Sequence, residues 1–173
     1  MLDIENCKIK NYPSDILARP AETVGEINDD IRLLVKKMTD VMVERNGIGL
    51  AASQVGIPLR LFIISLDTTA RDVKVYINPK ISMAGQLDTA EEGCLSIPGL
   101  CSNIKRYKKC SVTATDLDGN EFTQQAEGLL ARCLQHENDH IEGVTIANRI
   151  TQVARIINRK LFKKLELKHQ AEQ

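Results

Sequence analysis

Five consecutive residues, His136-Glu137-Asn138-Asp139-His140, carry the strongest chemical signal in this 173-residue chain. On a helix, residues four apart share a face, so both imidazoles can point at one metal ion. Glu137 follows the first of them, where its carboxylate can reach a metal-bound water and take its proton. That is the spacing of metal-assisted hydrolysis with glutamate as general base. The chain has three histidines, and two of them fall here. A third protein ligand is still needed. In one extended form of the motif a glycine and then a histidine follow; Gly143 fits it, but Ile146 stands at the histidine position. Glu166, in a Lys-rich stretch, is the one glutamate well placed on a later helix. Cysteine is the other option, either Cys94 within Glu91-Glu92-Gly93-Cys94-Leu95-Ser96-Ile97-Pro98-Gly99 or Cys133, three residues before His136. Cys133 reads better as core or pocket lining, because a ligand set drawn wholly from one short helix is cramped.

A second segment, Gly47-Ile48-Gly49-Leu50-Ala51-Ala52-Ser53-Gln54-Val55-Gly56, is rich in glycine but matches neither a phosphate-binding loop nor a dinucleotide fingerprint. Glycine here suits a strand edge that another backbone approaches closely. The elements that must position these residues follow from periodicity. Ile27, Ile31, Leu34, Met38, Val41 and Met42 recur at helical spacing, with Asn46-Gly47 as a stop. Leu59 to Ile64, Val73 to Ile77 (ended by Pro79), Cys110 to Thr115 and Glu121 to Gln124 read as strands, the last two joined by a turn at Asp118-Gly119-Asn120. A second helix runs from Leu129 to about Ile141, with Gly143 placed to end it. A third, over about 151–167, carries the apolar stripe Val153, Ile156, Ile157, Leu161 and Leu165. The order predicts an α+β fold: antiparallel sheets packed around a central metal-binding helix, with an N-terminal and a C-terminal helix, in a single domain over 1–173.

Composition narrows the function. Lys plus Arg and Asp plus Glu both total 23, so the net charge is zero, and there are only three Tyr, three Phe and no Trp. That argues against a protein built to grip nucleic acid or an anionic membrane. No apolar run approaches the roughly 18 residues needed to span a bilayer. The acidic opening around Asp3 and Glu5 is unlike a signal peptide, which predicts a cytoplasmic protein. Five cysteines, an odd number, suit free thiols or a metal ligand better than a disulfide framework.

Together, Gly47 to Gly56, Glu92-Gly93-Cys94-Leu95-Ser96 and Gln135-His136-Glu137-Asn138-Asp139-His140 resemble the three motifs of the peptide deformylase family, in its order and with similar separations. The resemblance implies removal of the formyl group from the N-terminal formyl-methionine of nascent polypeptides, with release of formate. It implies one divalent ion held by Cys94, His136 and His140, with a water or hydroxide completing a roughly tetrahedral site. The ion is Fe(II) in most members, with Zn(II), Ni(II) or Co(II) as substitutes. It further implies that Glu137 acts as base and then acid, and that the Gln54 side-chain amide and the Leu95 backbone N–H stabilise the oxyanion. Without it, Gln54 reads as an ordinary strand amide. An extended peptide can add as a strand beside Ile48-Gly49 and Gly93. The methionine then enters an apolar pocket lined by Ile48, Leu129, Cys133 and the stem of Arg132. The basic stretch from Arg155 to Lys168 is a solvated face that can also contact the ribosome. Two other functions use the same residues. A zinc peptidase predicts a third ligand other than Cys94. A non-enzymatic ribosome-associated metal-binding module predicts a closed four-ligand site, and no fourth protein ligand is evident.

Overall fold

Strand β2 (Leu61–Ile64) shows how the sequence builds the centre of the molecule. All four of its residues are buried, as a strand covered on both faces requires. Leu61 and Ile63 face one apolar cluster, and Phe62 and Ile64 face another. The first cluster is closed by helix α1 (Asp29–Glu44) through Leu34, Met38 and Met42. The second is closed by helix α2 (Gly128–Ile141) through Ala131, Cys133, Leu134 and Ile141. Phe62 stacks on Tyr76 at 4.9 Å inside this second cluster. These coordinates are a computed structural model that describes Ile4 and residues 6–171. The acidic opening at Asp3 and Glu5 therefore lies outside the described residues.

Around β2 runs one antiparallel sheet of five strands whose spatial order is their chain order: β1 (Gly49–Ala51), β2, β3 (Lys74–Gly93), β4 (Cys101–Thr115) and β5 (Glu121–Glu127). The fold is α+β, with α2 packed across this sheet. Asn28 caps α1 by accepting the Ile31 N–H, so the helix begins after Ile27, two residues later than the apolar spacing suggests. Asp116 accepts the N–H groups of Asp118 and Asn120 and closes the β4–β5 turn, where Gly119 takes φ +84°.

Two parts of the fold differ from the sequence expectation. Pro79 does not end a strand; β3 runs through it and is 20 residues long in all. Asn78, at φ +50°, exchanges two 2.8 Å hydrogen bonds with the backbone of Val24, and the β3–β4 register shifts between Ile77 and Lys80. Proline is tolerated at such a bulge because no ladder bond is asked of its nitrogen. Its partner β4 begins at Cys101, nine residues before the expected Cys110, so the long hairpin ends beside Cys94.

The helix expected over about 151–167 is two pieces, α4 (Gln152–Ile157) and α5 (Arg159–Ala171), with Asn158 capping the break, and a short α3 (Ile146–Arg149) precedes them. The first half of the expected apolar stripe does not pack. Val153, Ile156 and Ile157 are exposed, whereas Phe162 and Leu165 of α5 are buried against Ile97, Leu100 and Ile104. Full burial of such a side chain contributes roughly 1.5–3 kcal/mol. The anchoring of α5 thus falls on the loop that follows Cys94.

Candidate metal centre and catalytic cleft

Helix α2 lies in the interior, so its polar residues are buried too: Gln135, Glu137, Asn138, Asp139 and His140 all expose 8% or less. The one-turn spacing brings the Nε2 atoms of His136 and His140 to 3.2 Å. Strand β3 ends at Gly93 and delivers Cys94, whose Sγ lies 3.3 Å from His140 Nε2. Among the described residues these three form the group able to hold a metal, all donor atoms lying within 4.8 Å of one another. Metal bonds of about 2.0–2.3 Å set tetrahedral N and S ligands roughly 3.3–3.6 Å apart, so the donor set fits one ion with little movement. Cys133 is elsewhere, donating to Ile48 O at 3.7 Å, and burial pushes its thiol well above the ordinary value. Neither Cys133 nor Glu166 joins the group.

Glu92 orients the first histidine. Its carboxylate accepts from His136 Nδ1 at 2.9 Å, from Arg106 Nε and Nη2 at 2.9 and 3.0 Å, and from Arg132 Nη1 at 2.7 Å. Burial would raise its pKa, but hydrogen bonds from His136 and Arg106 outweigh this and hold it far below the usual carboxylate range. With Nδ1 donating to Glu92, the lone pair of Nε2 faces Cys94 and His140, as ligation requires. Arg106 continues to Asp139 at 2.6 Å, and Asp139 also accepts from Arg149 Nε at 3.0 Å. Every charge in this buried chain is paired.

Glu137 faces the same space. Its Oε2 is buried with no hydrogen-bond partner, and burial raises the carboxyl to about 7. Strand β1 passes directly against it: a Cβ at Gly49 would collide with the Glu137 carboxylate and come within 2.9 Å of Cys133 Sγ. The glycine therefore makes room for a carboxylate and a sulfur. Gln54 sits on a 3-10 turn, Ala52–Val55, and its Oε1 accepts the Ala51 N–H at 2.9 Å. Only an oxygen can accept that bond, so the amide nitrogen points at Cys94, 3.6 Å from its sulfur.

Ile48, Gly49, Gln54, Gly93, Cys94 and Leu95 line one cleft of about 1040 Å³. Leu129, Cys133, His136 and Glu137 line it from the α2 side. Leu129 is exposed there, while Cys133 is buried. The guanidinium of Arg132 is held by Glu92 and Ile104 O, so that side chain is fixed at the wall.

The family model for polypeptide deformylase matches residues 6–155. The chain belongs to the peptide deformylase family. It is 42% identical over 160 residues to the peptide deformylase of Thermodesulfovibrio yellowstonii, covering 90% of this chain and 96% of that one. It is 38% identical to that of Pseudomonas aeruginosa, with 93% and 95% covered. Its fold superposes on a plant peptide deformylase with a TM-score of 0.92 at 33% identity, covering 96% and 92% of the two chains. For the peptide deformylase of Legionella pneumophila the TM-score is 0.87 at 35% identity, with 96% and 98% covered. The matched peptide deformylase region contains all three motifs and stops before α5.

Several residues of this deformylase site were not singled out from sequence. Arg106 lies in the run Lys105-Arg106-Tyr107-Lys108-Lys109, where four of five residues are basic, a composition that by itself suggests solvated chain and not a buried contact. Its signal is alternation: Ile104 and Arg106 are two apart, share a strand face and are both buried. Ser96, fully buried two residues after Cys94, gives no such signal.

Proposed function

We infer that this chain is a metal-dependent hydrolase that removes the formyl group from the N-terminal formyl-methionine of nascent polypeptides. The observation that carries the reading is the meeting of Cys94, His136 and His140 beside a buried, unpartnered Glu137 oxygen in an open cleft. Cys94, His136 and His140 would hold one divalent ion, which we assign as Fe(II); a mixed thiolate–imidazole set also takes Zn(II), Ni(II) or Co(II). Such an ion supplies Lewis acidity and acidifies a water. This chain's own residues do the rest. Glu137 accepts the proton of the water whose oxygen adds to the formyl carbon. The negative oxygen of the tetrahedral intermediate takes hydrogen bonds from Gln54 Nε2 and the Leu95 N–H. Glu137 then returns the proton to the leaving nitrogen as the C–N bond breaks, and formate departs.

The peptide lies extended between Ile48-Gly49 and Gly93, its main-chain groups bonded without regard to sequence. Its methionine enters the space bounded by Ile48, Leu129 and Cys133. The whole of 1–173 acts as one catalytic domain. The reading places it in the cytoplasm, where its substrates emerge; no described helix is long and apolar enough to cross a membrane. Exposed Arg159, Lys160, Lys163 and Lys164 on α5 would contact the ribosome. Replacing these four with Glu is expected to abolish co-sedimentation with ribosomes, and unchanged sedimentation would remove that contact from the proposal.

The deciding experiment is formate release from a formyl-methionyl tripeptide by protein purified without oxygen and loaded with ferrous iron. Rapid release with the peptide bonds intact is expected; cleavage of an internal peptide bond would make it a peptidase. Gly49→Ala should lower kcat by on the order of 100-fold, since the new methyl displaces the Glu137 carboxylate by about an ångström. Metal content should stay near that of the parent. An unchanged kcat would mean that Glu137 needs no such fit.

A further inference from the structure

The Gln54 amide is held at both ends. Its oxygen takes the Ala51 N–H, and its nitrogen donates to Ser96 Oγ at 3.2 Å. Gln54 exposes 2% of its surface and Ser96 none, so no water competes for these bonds. A primary amide carries two N–H groups. Ser96 takes one of them. The other faces Cys94 Sγ at 3.6 Å, a long and weak contact that is readily exchanged for a better acceptor in the cleft.

The backbone repeats the same tie. Lys10 N–H donates to Gln54 O at 2.7 Å and Tyr12 N–H to Ser96 O at 2.8 Å. Two donors two residues apart on a non-helical run thus staple the turn that carries Gln54 to the loop that carries Leu95 and Ser96. Behind that loop, Tyr12 meets Phe162 edge-on at 5.3 Å, and Ile97 and Leu100 pack on Phe162 and Leu165. The segment next to Leu95 is therefore fixed from two sides, and the Ser96 hydroxyl connects it to the Gln54 side chain.

We propose that Ser96 is a positioning residue for the oxyanion donors: its hydroxyl holds the plane of the Gln54 amide so that the remaining N–H stays aimed where the substrate oxygen becomes negative. This rests on the role given to Gln54 above. Ser96 touches neither substrate nor metal in this scheme and acts only through Gln54. A donor preorganised toward developing charge accelerates the reaction without tightening the ground state, so its loss falls on kcat.

The test is a double-mutant cycle on iron-loaded protein, with formate release, bound iron per chain and melting temperature measured for wild type, Gln54→Ala, Ser96→Ala and the double variant. Gln54→Ala is expected to lower kcat about 100-fold. Ser96→Ala should lower it roughly tenfold with KM and bound iron unchanged, and should cost less than about twofold once Gln54 is already alanine. Ser96→Thr keeps the oxygen and should stay closer to wild type than Ser96→Ala. An equal loss from Ser96→Ala in both backgrounds, or a loss that tracks iron content or KM, would overturn the proposal in favour of a structural role. If Ser96→Ala has no effect while Gln54→Ala is impaired, the positioning role alone is lost. Wild-type kcat in Gln54→Ala would instead overturn the role of Gln54 itself.

Discussion

Replacing Glu137 with Gln is expected to lower kcat for formate release by about 10²- to 10⁴-fold while leaving KM and bound metal near their parent values. Glutamine keeps the shape of the side chain but cannot carry the proton from water to the leaving nitrogen. The loss corresponds to roughly 3–5 kcal/mol of transition-state stabilisation. The fold should not suffer. Glu137 exposes 3% of its surface, has one oxygen with no partner and lies wedged against Gly49, so exchanging its buried charge for a neutral amide lowers the desolvation cost. The variant should therefore melt at or above the temperature of the parent. Activity within tenfold of wild type, from protein shown to be metal-loaded, would assign the proton transfer to another group.

Arg106→Ala is expected to cost about 3–5 kcal/mol of stability. Arg106 is 4% exposed, grips Glu92 with two nitrogens and Asp139 with a third, and has a bulk that alanine does not fill. Its loss leaves two buried carboxylates short of a cation. Arg132 still holds Glu92 and Arg149 still holds Asp139, which keeps the cost from being larger. For a chain of this length each kcal/mol moves the melting point by about 2–4 °C, so a drop on the order of 10 °C is the readout. Metal affinity should fall as well, by about 10- to 100-fold, because Glu92 sets the ring of His136. The exposed Arg19–Asp15 pair provides the contrast: its removal should leave both quantities essentially unchanged. A variant that melts with the parent and keeps its metal would show that Arg132 and Arg149 alone satisfy the carboxylates.

The two histidines and Glu137 were legible because the helix rule is local: four residues always make about one turn, whatever the rest of the chain does. The choice of Cys94 as third ligand was different. Spacing left Cys94, Cys133 and Glu166 open, and only the resemblance to a family selected among them. In space β3 carries Cys94 to a histidine 46 residues away, while Cys133 donates to Ile48 O and burial pushes its thiol up.

The strands show the same division. Leu61 to Ile64 could be read directly because both faces are buried and every residue is apolar. Residues 82–93 and 101–109 could not. They form the outer part of one hairpin, largely solvated, where charge and glycine are tolerated so long as the partner strand supplies the hydrogen bonds. On α4 the apolar stripe was real and its burial was not, since Val153, Ile156 and Ile157 stay exposed among the described residues. The sequence by itself determined the helix that bears the chemistry, the apolar strand beside it and the α+β order of the chain, because each depends on neighbours within a few residues. The tertiary structure alone decided that Arg106 links Glu92 to Asp139 and that Ser96 meets the Gln54 amide. Those contacts join residues separated by 14, 33 and 42 positions, and no local periodicity records a partner that distant.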